Sequence, residues 1–256
     1  MEGGERRTAL VTGAAQRLGQ ALALRLAEEG LDVAVHYRGS EEAARRTAAQ
    51  LRDRGAAAEI FRAELSEPDA PRDLISAVVD VFGRLDVLVN SAASFLSRPL
   101  AESDAELWDR VFAVNLRAPA LLTASAAPHL GQAASAGGPA GLVVNMVDLS
   151  GLYPWRGYAV HGAAKAGLLQ LTRTAALELA PSVRVNAIVP GPILPPPGVS
   201  EGSDAWRRTG ERVPLGRPGR PANVAAALSY LLTNDFVSGE ALSVDGGEHL
   251  LGSTKR

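Results

Sequence analysis

Residues 8–30 read TALVTGAAQRLGQALALRLAEEG, and this stretch decides the fold. Ala9–Val11 is a short apolar run of strand type, Gly13 follows it in a tight turn, and Gly19 stands where the next element begins. From Leu18 to Glu29 the apolar residues recur at the three- and four-residue spacing of an amphipathic helix. Gly30 then stops it, as a left-handed glycine does at a helix end. A strand that turns through glycine into a helix N-terminus aims backbone N–H groups at an anion, the arrangement that holds a dinucleotide pyrophosphate.

The same alternation continues outward from this unit. Further strands are expected at Val33–Tyr37, Ala58–Ala63, Val87–Val89, Leu142–Val147, Val183–Ile188 and Ala241–Val244. Helices are expected over Glu41–Arg54, Asp69–Phe82, Asp104–Leu130, Gly157–Ala180 and Pro221–Leu232, with Gly55 and Gly83 as stops. The strands are apolar on both faces, so the pattern predicts an α/β fold, a doubly wound parallel sheet of Rossmann type with helices on both sides. No linker divides residues 1–256, which read as a single domain. GQAASAGGPAG at 131–141 reads as a surface loop. PGPILPPPGVSEGSD at 190–204 is too rich in proline for a helix or a central strand. This stretch is therefore expected to be an irregular loop, part of a substrate-loop region around 190–215, against the plainer alternative of a simple connection.

Composition removes other classes of function. The chain has 256 residues, 46% of them apolar, and a net charge of −2 with acids and bases interspersed, which argues against a nucleic-acid surface. Glu5-Arg6-Arg7 reads as a solvated N-terminal tail. With no cysteine, thiol catalysis, disulfides and cysteine-held metals are excluded. The histidines, His36, His129, His161 and His249, lack metal-ligand spacing, so no metal is expected. No apolar run is long enough to cross a bilayer and no secretory leader is legible, which predicts a cytoplasmic protein acting on a small molecule, with no membrane or nucleic-acid partner.

Two stretches carry chemistry. The second strand ends VAVHYRGSEEA, where an NAD-binding protein would place a carboxylate on the ribose hydroxyls. His36, Arg38 and Ser40 stand there instead, with Arg17 within reach. A guanidinium and a hydroxyl suit a 2′-phosphate, which predicts NADPH, against the plainer alternative of an exposed loop arginine. The second stretch, GYAVHGAAKAGL at 157–168, sets Tyr158, His161 and Lys165 on one face of a helix.

Taken in order, TGAAQRLG at 12–19, NSAA at 90–93, Asn115 in VFAVNLRAP, Lys165, PGPI at 190–193 and GEALSVDGGEHL near the end resemble the short-chain dehydrogenase/reductase family over nearly the whole chain. Within it the chain looks most like the pteridine reductases. Arg17 replaces the usual glycine of the turn, HYRGS follows at 36–40, Ser94-Phe95 extends the fourth strand, and the fifth ends in NMVD with Asp148. The resemblance implies Asp148, His161, Lys165 and Asn115 as the catalytic set, with His161 where the family carries its tyrosine. It implies that Arg17, Phe95, Asp148, Tyr158 and His161 touch substrate, Phe95 by stacking a pterin over the nicotinamide. The cofactor would be held by Gly13, Arg17, Leu18, Gly19, His36, Tyr37, Arg38, Ser40, Glu64, Leu65, Asn90, Ala92, Lys165, Pro190, Gly191 and Ile193. Plainer roles remain open beside these: Phe95 as a cover for apolar surface, Arg17 as a phosphate ligand alone, Asp148 as a turn cap.

The implied activity is reduction of a C=N bond by NADPH in a homotetramer. The alternatives are a carbonyl or quinone reductase and an NADP(H)-binding protein without ordinary turnover. As the acid, His161 must be an imidazolium, which a neighbouring Lys165 disfavours and a neighbouring Asp148 favours. With a neutral ring, Asp148 or a water supplies the proton.

Overall fold

The structure, a computed structural model, describes residues 6–135, 138–196 and 198–255. Glu5 of the basic run, residues 136–137 of the 131–141 loop and Pro197 of the proline-rich stretch lie outside the described residues. The elements run β1 (Thr8–Val11), α1 (Arg17–Glu28), β2 (Asp32–Tyr37), α2 (Glu41–Arg52), β3 (Ala58–Arg62), α3 (Ala70–Phe82), β4 (Val87–Asn90), α4 (Ala105–Phe112), α5 (Ala118–Leu130), α6 (Gln132–Ser135), β5 (Gly141–Met146), α7 (Ala159–Glu178), β6 (Val183–Pro190), α8 (Asp204–Glu211), α9 (Pro221–Thr233) and β7 (Ala241–Val244).

All seven strands form one parallel sheet in the order β3-β2-β1-β4-β5-β6-β7. Side chains alternate between its faces with the period of two that strands impose. Ala9, Val11, Val33, Val35, Val87 and Val89 pack with Leu22, Leu26, Leu51 and Leu228 on one side. Leu10, Ala34, Leu88 and Val143 pack with Leu74, Ile75, Val78 and Leu122 on the other. Both faces are dry, which is why the strands read as unbroken apolar runs. The chain reverses its winding between β1 and β4, and the crevice beyond the carboxyl ends of the strands at such a reversal is where ligands bind.

The expected helix stops hold: Gly30, Gly55 and Gly83 have φ of 86°, 78° and 74°. One expectation is corrected. The single helix expected from Asp104 to Leu130 is interrupted by a π-helical turn at Ala113–Arg117, which separates α4 from α5 and carries Asn115. Such a turn inserts an extra residue into the helix and re-aims one side chain, a displacement that apolar periodicity does not register. The proline-rich stretch forms no helix or strand among the described residues from 191 to 203, as expected. Ser203 accepts from the Trp206 N–H and opens α8, with Trp206 and Gly210 turned inward. The prolines stop short of this cap, so they break only the chain before it.

The β1–α1 turn leaves no room for a side chain at Gly19, where a Cβ would sit 2.3 Å from the Gly13 carbonyl oxygen. Gly39, by contrast, has open space around it. Gly19→Ala is expected to lower stability by about 1–3 kcal/mol, the range for overpacking, and Gly39→Ala to stay within about 0.5 kcal/mol of wild type. Urea midpoints of the three proteins check this.

Candidate active site

A cavity of about 950 Å³ opens at the carboxyl edge of the sheet. At its nucleotide end the Gly13 N–H donates to His36 Nδ1 at 3.0 Å, and His36 Nε2 lies 3.2 Å from the Ala63 carbonyl oxygen. An amide can only donate, so Nδ1 accepts and the ring proton sits on Nε2, donating to Ala63. Burial pushes His36 down to about 4, against the Ala63 hydrogen bond and the Glu64 charge that favour the cation. Expected as a cofactor contact, His36 is also a neutral brace that fixes the glycine turn from below. Arg17 holds the left-handed conformation, φ 56°, the one non-glycine to do so among the described residues. That costs about 1 kcal/mol. Its guanidinium crosses the cavity to the Pro195 carbonyl at 2.9 Å.

Leu18, Gly19, Tyr37, Arg38, Ser40, Glu64, Leu65, Ala92, Pro190, Gly191 and Ile193 also line this cavity. Arg38 is 76% exposed and its Nε lies 3.8 Å from the Glu64 carboxylate, a loose pair that a phosphate can displace. Gln16 before α1 offers no side-chain cap, which leaves the first N–H groups of that helix for an anion. Gly191 approaches the opposite wall so closely that a Cβ would lie 2.8 Å from Asp245 Cα. A narrow glycine-walled cradle with an uncapped helix start and a guanidinium at the ribose end fits a phosphorylated dinucleotide. Asn90 is the exception among the expected contacts. It is buried beneath the cavity and donates to Asn145 Oδ1 at 2.8 Å, because the register of β4 against β5 pairs these two residues.

At the other end the expected catalytic residues converge. Asp148 follows β5, and one of its oxygens accepts from the Ser150 N–H at 2.9 Å and the Ser150 hydroxyl at 2.5 Å. Its other oxygen lies 2.7 Å from His161 Nε2 on the first turn of α7. The turn cap and the contact with His161 therefore coexist on separate oxygens of Asp148. Asn115 Oδ1 accepts from the Ser94 N–H at 2.7 Å, which turns its Nδ2 toward the Ser94 carbonyl at 2.9 Å and His161 Nδ1 at 3.1 Å. In the neutral ring Nδ1 accepts from Asn115, and Nε2–H donates to Asp148. A second proton on Nδ1 would face the Ser94 carbonyl, 3.3 Å away, so both protonation states find a partner.

Burial alone would raise the Asp148 carboxyl. The His161 hydrogen bond, the Lys165 and His161 charges and the Ser150 hydrogen bond outweigh it and hold it at about 2. Lys165 is fully enclosed and donates to the Met146 carbonyl at 2.7 Å. Its burial lowers its proton affinity and the Asp148 charge works the other way. At neutral pH Asp148 is a carboxylate, and the proton between it and His161 belongs to the ring. Ser94, expected only as an extension of the fourth strand, and Ser150, not expected in the site, orient the pair. The sequence DLS, with a hydroxyl two residues after an Asp, is the one signal that pointed to Ser150.

Tyr158 does not share the cavity face with His161 and Lys165. Helix α7 begins only at Ala159, so Tyr158 is the flanking residue, with φ −125° and ψ 30°. Its ring swings out to stack on Phe95, centroids 4.7 Å apart at 27°. Phe95, 54% exposed, lines the main cavity and sets its ring edge-on to His161 at 4.8 Å. Among the described residues no three His, Asp or Glu side chains gather as a metal site, and no helix is long and apolar enough to cross a membrane.

Comparison with known proteins agrees with this architecture. A family model described as enoyl-(acyl carrier protein) reductase matches residues 13–249. The chain is 35% identical over 246 residues to a 3beta-hydroxysteroid dehydrogenase of Eggerthella lenta, covering 94% of this chain and 93% of the relative. It is 32% identical over 247 residues to a 3-oxoacyl-(acyl-carrier-protein) reductase of Staphylococcus epidermidis, covering 95% and 99%. The crystal structure of an alternative dihydrofolate reductase of Brucella canis complexed with NADP superposes with a TM-score of 0.87 at 32% identity, over 97% of this chain and 96% of that one.

The His36 brace makes stability depend on pH. Its folded value of about 4 lies below the ordinary 6.5, so the unfolded chain binds the proton more readily between them. Stability is complete above the upper value and declines as pH falls toward the lower one. Between about pH 7.5 and about pH 4.5 this group should cost about 2–3 kcal/mol. Urea unfolding of wild type and His36→Gln at both pH values should show that difference narrowing in the variant.

Proposed function

The chain belongs to the short-chain dehydrogenase/reductase family of NAD(P)-dependent oxidoreductases, and from that premise we propose that it reduces a C=N bond in a flat, pterin- or dihydrofolate-like heterocycle with NADPH. The observation that carries this reading is the 2.7 Å contact of His161 Nε2 with the Asp148 carboxylate at the cavity wall. Where a phenol would stand in the family's catalytic helix, this chain has an imidazole that reaches the substrate through a carboxylate. A carbonyl reductase must protonate a strongly basic alkoxide as it forms. An imine nitrogen, unlike a carbonyl oxygen, is basic enough to take its proton before or as the hydride arrives, a transfer that a histidine–aspartate pair can make.

When bound, NADPH supplies a hydride to the substrate carbon. The chain does the rest. Gly13, the start of α1, Arg38 and Ser40 hold the phosphates, and Lys165 and Asn115 fix the floor on which the reacting groups meet. Phe95 covers one face of the heterocycle, with Tyr158 stacked behind it. Asp148 faces the substrate's imine nitrogen and donates a proton to it. The imidazolium of His161 gives its Nε2 proton to the Asp148 carboxylate, which delivers that proton to the nitrogen, leaving a neutral ring whose remaining proton, on Nδ1, faces Ser94. Solvent then restores the second proton.

The NADP bound to the Brucella canis structure supports the choice of cofactor. The same reading takes the protein as a homotetramer, supported by the apolar groove that Phe112, Leu116 and Leu171 line between α4, α5 and α7. A second reading, carbonyl reduction at the same site, draws on the steroid and oxoacyl substrates in the names of the two curated relatives.

The relay is tested with dihydrobiopterin, dihydrofolate and a ketone panel. Asp148→Asn and His161→Phe should each lower kcat by about 10²-fold or more, the scale of general acid catalysis, with NADPH affinity held within a few-fold. Turnover of ketones alone, or full activity in His161→Phe, overturns the assignment.

Cofactor choice gives a separate measurement. Arg38→Ala removes a charged contact to the 2′-phosphate and should weaken NADPH by about 1.5–3 kcal/mol, with NADH nearly unchanged. Fluorescence titration of both cofactors reads the difference directly.

A further inference from the structure

A second cavity of about 560 Å³ adjoins the first, and Gly191 borders both. The wall between them is aromatic. Tyr158 lines the second cavity and stacks on Phe95, which lines the first, and Trp155 meets Tyr158 edge-on with centroids 5.9 Å apart. Beyond this shelf stand Arg156 and Arg212, both exposed, from the segment before α7 and the end of α8. Among the described residues neither guanidinium is committed to a hydrogen bond or an ion pair. Glu248 is the one acid on the wall, so the two arginines leave a net charge of +1 there.

From this juxtaposition of an aromatic shelf with two uncommitted guanidiniums, at the open side of the ring site, we infer that the second cavity is a subsite for an anionic substrate tail. The inference rests on the heterocycle lying against Phe95. A linker leaving that ring passes over the Tyr158–Trp155 edge, and a flat, arylamide-sized linker gains aromatic contact there. Its carboxylates then meet Arg156 and Arg212 in charge-assisted pairs, for which arginine's planar fork is suited. The substrate class is thereby narrowed to heterocycles with a carboxylate-ended aryl tail, as in dihydrofolate, over those with a short neutral side chain, as in dihydrobiopterin. A neutral tail leaves both guanidiniums in water and gains nothing from them.

Calorimetric titration of the NADP-loaded protein with folate and with biopterin compares one ring with and without the tail. Folate should bind at least about tenfold tighter, and raised salt should erode that advantage. In the double variant Arg156→Ala/Arg212→Ala the folate-to-biopterin affinity ratio should fall at least about tenfold, each single variant giving part of the loss. An unchanged ratio overturns the subsite, as does wild-type folate no tighter than biopterin. Titration with 4-aminobenzoyl-glutamate separates the two readings. If biopterin fails to bind while this fragment binds wild type and is lost in the double variant, the subsite stands and the ring reading falls. If none of the three ligands binds, both fall.

Discussion

Burying both faces of a parallel sheet leaves only its edges free for chemistry, and every functional feature of this protein follows from that constraint. Side chains from Ala9 to Val144 alternate between two dry cores, so polar atoms are driven to the strand ends. The winding reversal between β1 and β4 then parts the loops above those ends and opens the cavity. Gly13, the 36–40 segment, Ser94-Phe95, Asp148 and Pro190-Gly191 each lie at or just past the carboxyl end of a different strand, and they meet because the strands are parallel and in register.

Polar groups enclosed below that edge must find partners, and those partnerships make the site rigid. Asn90, Asn145 and Thr172 form a chain of side-chain hydrogen bonds that ends on the Leu168 carbonyl. Asn115 is held at both ends of its amide by Ser94, so only one of its groups can face His161. His36 spans from Gly13 to Ala63 and ties the glycine turn to the end of the third strand. Each of these residues supports groups that would touch a ligand.

The charges in the site are arranged by the same enclosure. Asp148 keeps its proton off through Ser150, His161 and Lys165, whereas Lys165 gives up part of its hold on a proton to burial. A carboxylate kept ionised against its own burial is a proton acceptor and conduit. It is paired with an imidazole whose far nitrogen can either accept from Asn115 or donate to Ser94, so both protonation states of the ring find partners without moving heavy atoms.

The sequence by itself determined the strand and helix pattern, the parallel sheet, the glycine turn and the shared helix face of His161 and Lys165. These are local or periodic signals: a period of two or of 3.6, a glycine that tolerates positive φ, a fixed spacing along one helix. Only the tertiary structure decided that Asn115 sits on a π-helical turn, that Asn90 faces Asn145 and lies off the cavity wall, and that His36 braces the turn. It also decided that Tyr158 leaves the helix face to stack on Phe95, and that Arg156 and Arg212 share a cavity. Each of these depends on a partner far away in the chain, brought within hydrogen-bonding or stacking distance by sheet register and by where a helix begins, and neither quantity is written in the spacing of residues along one segment.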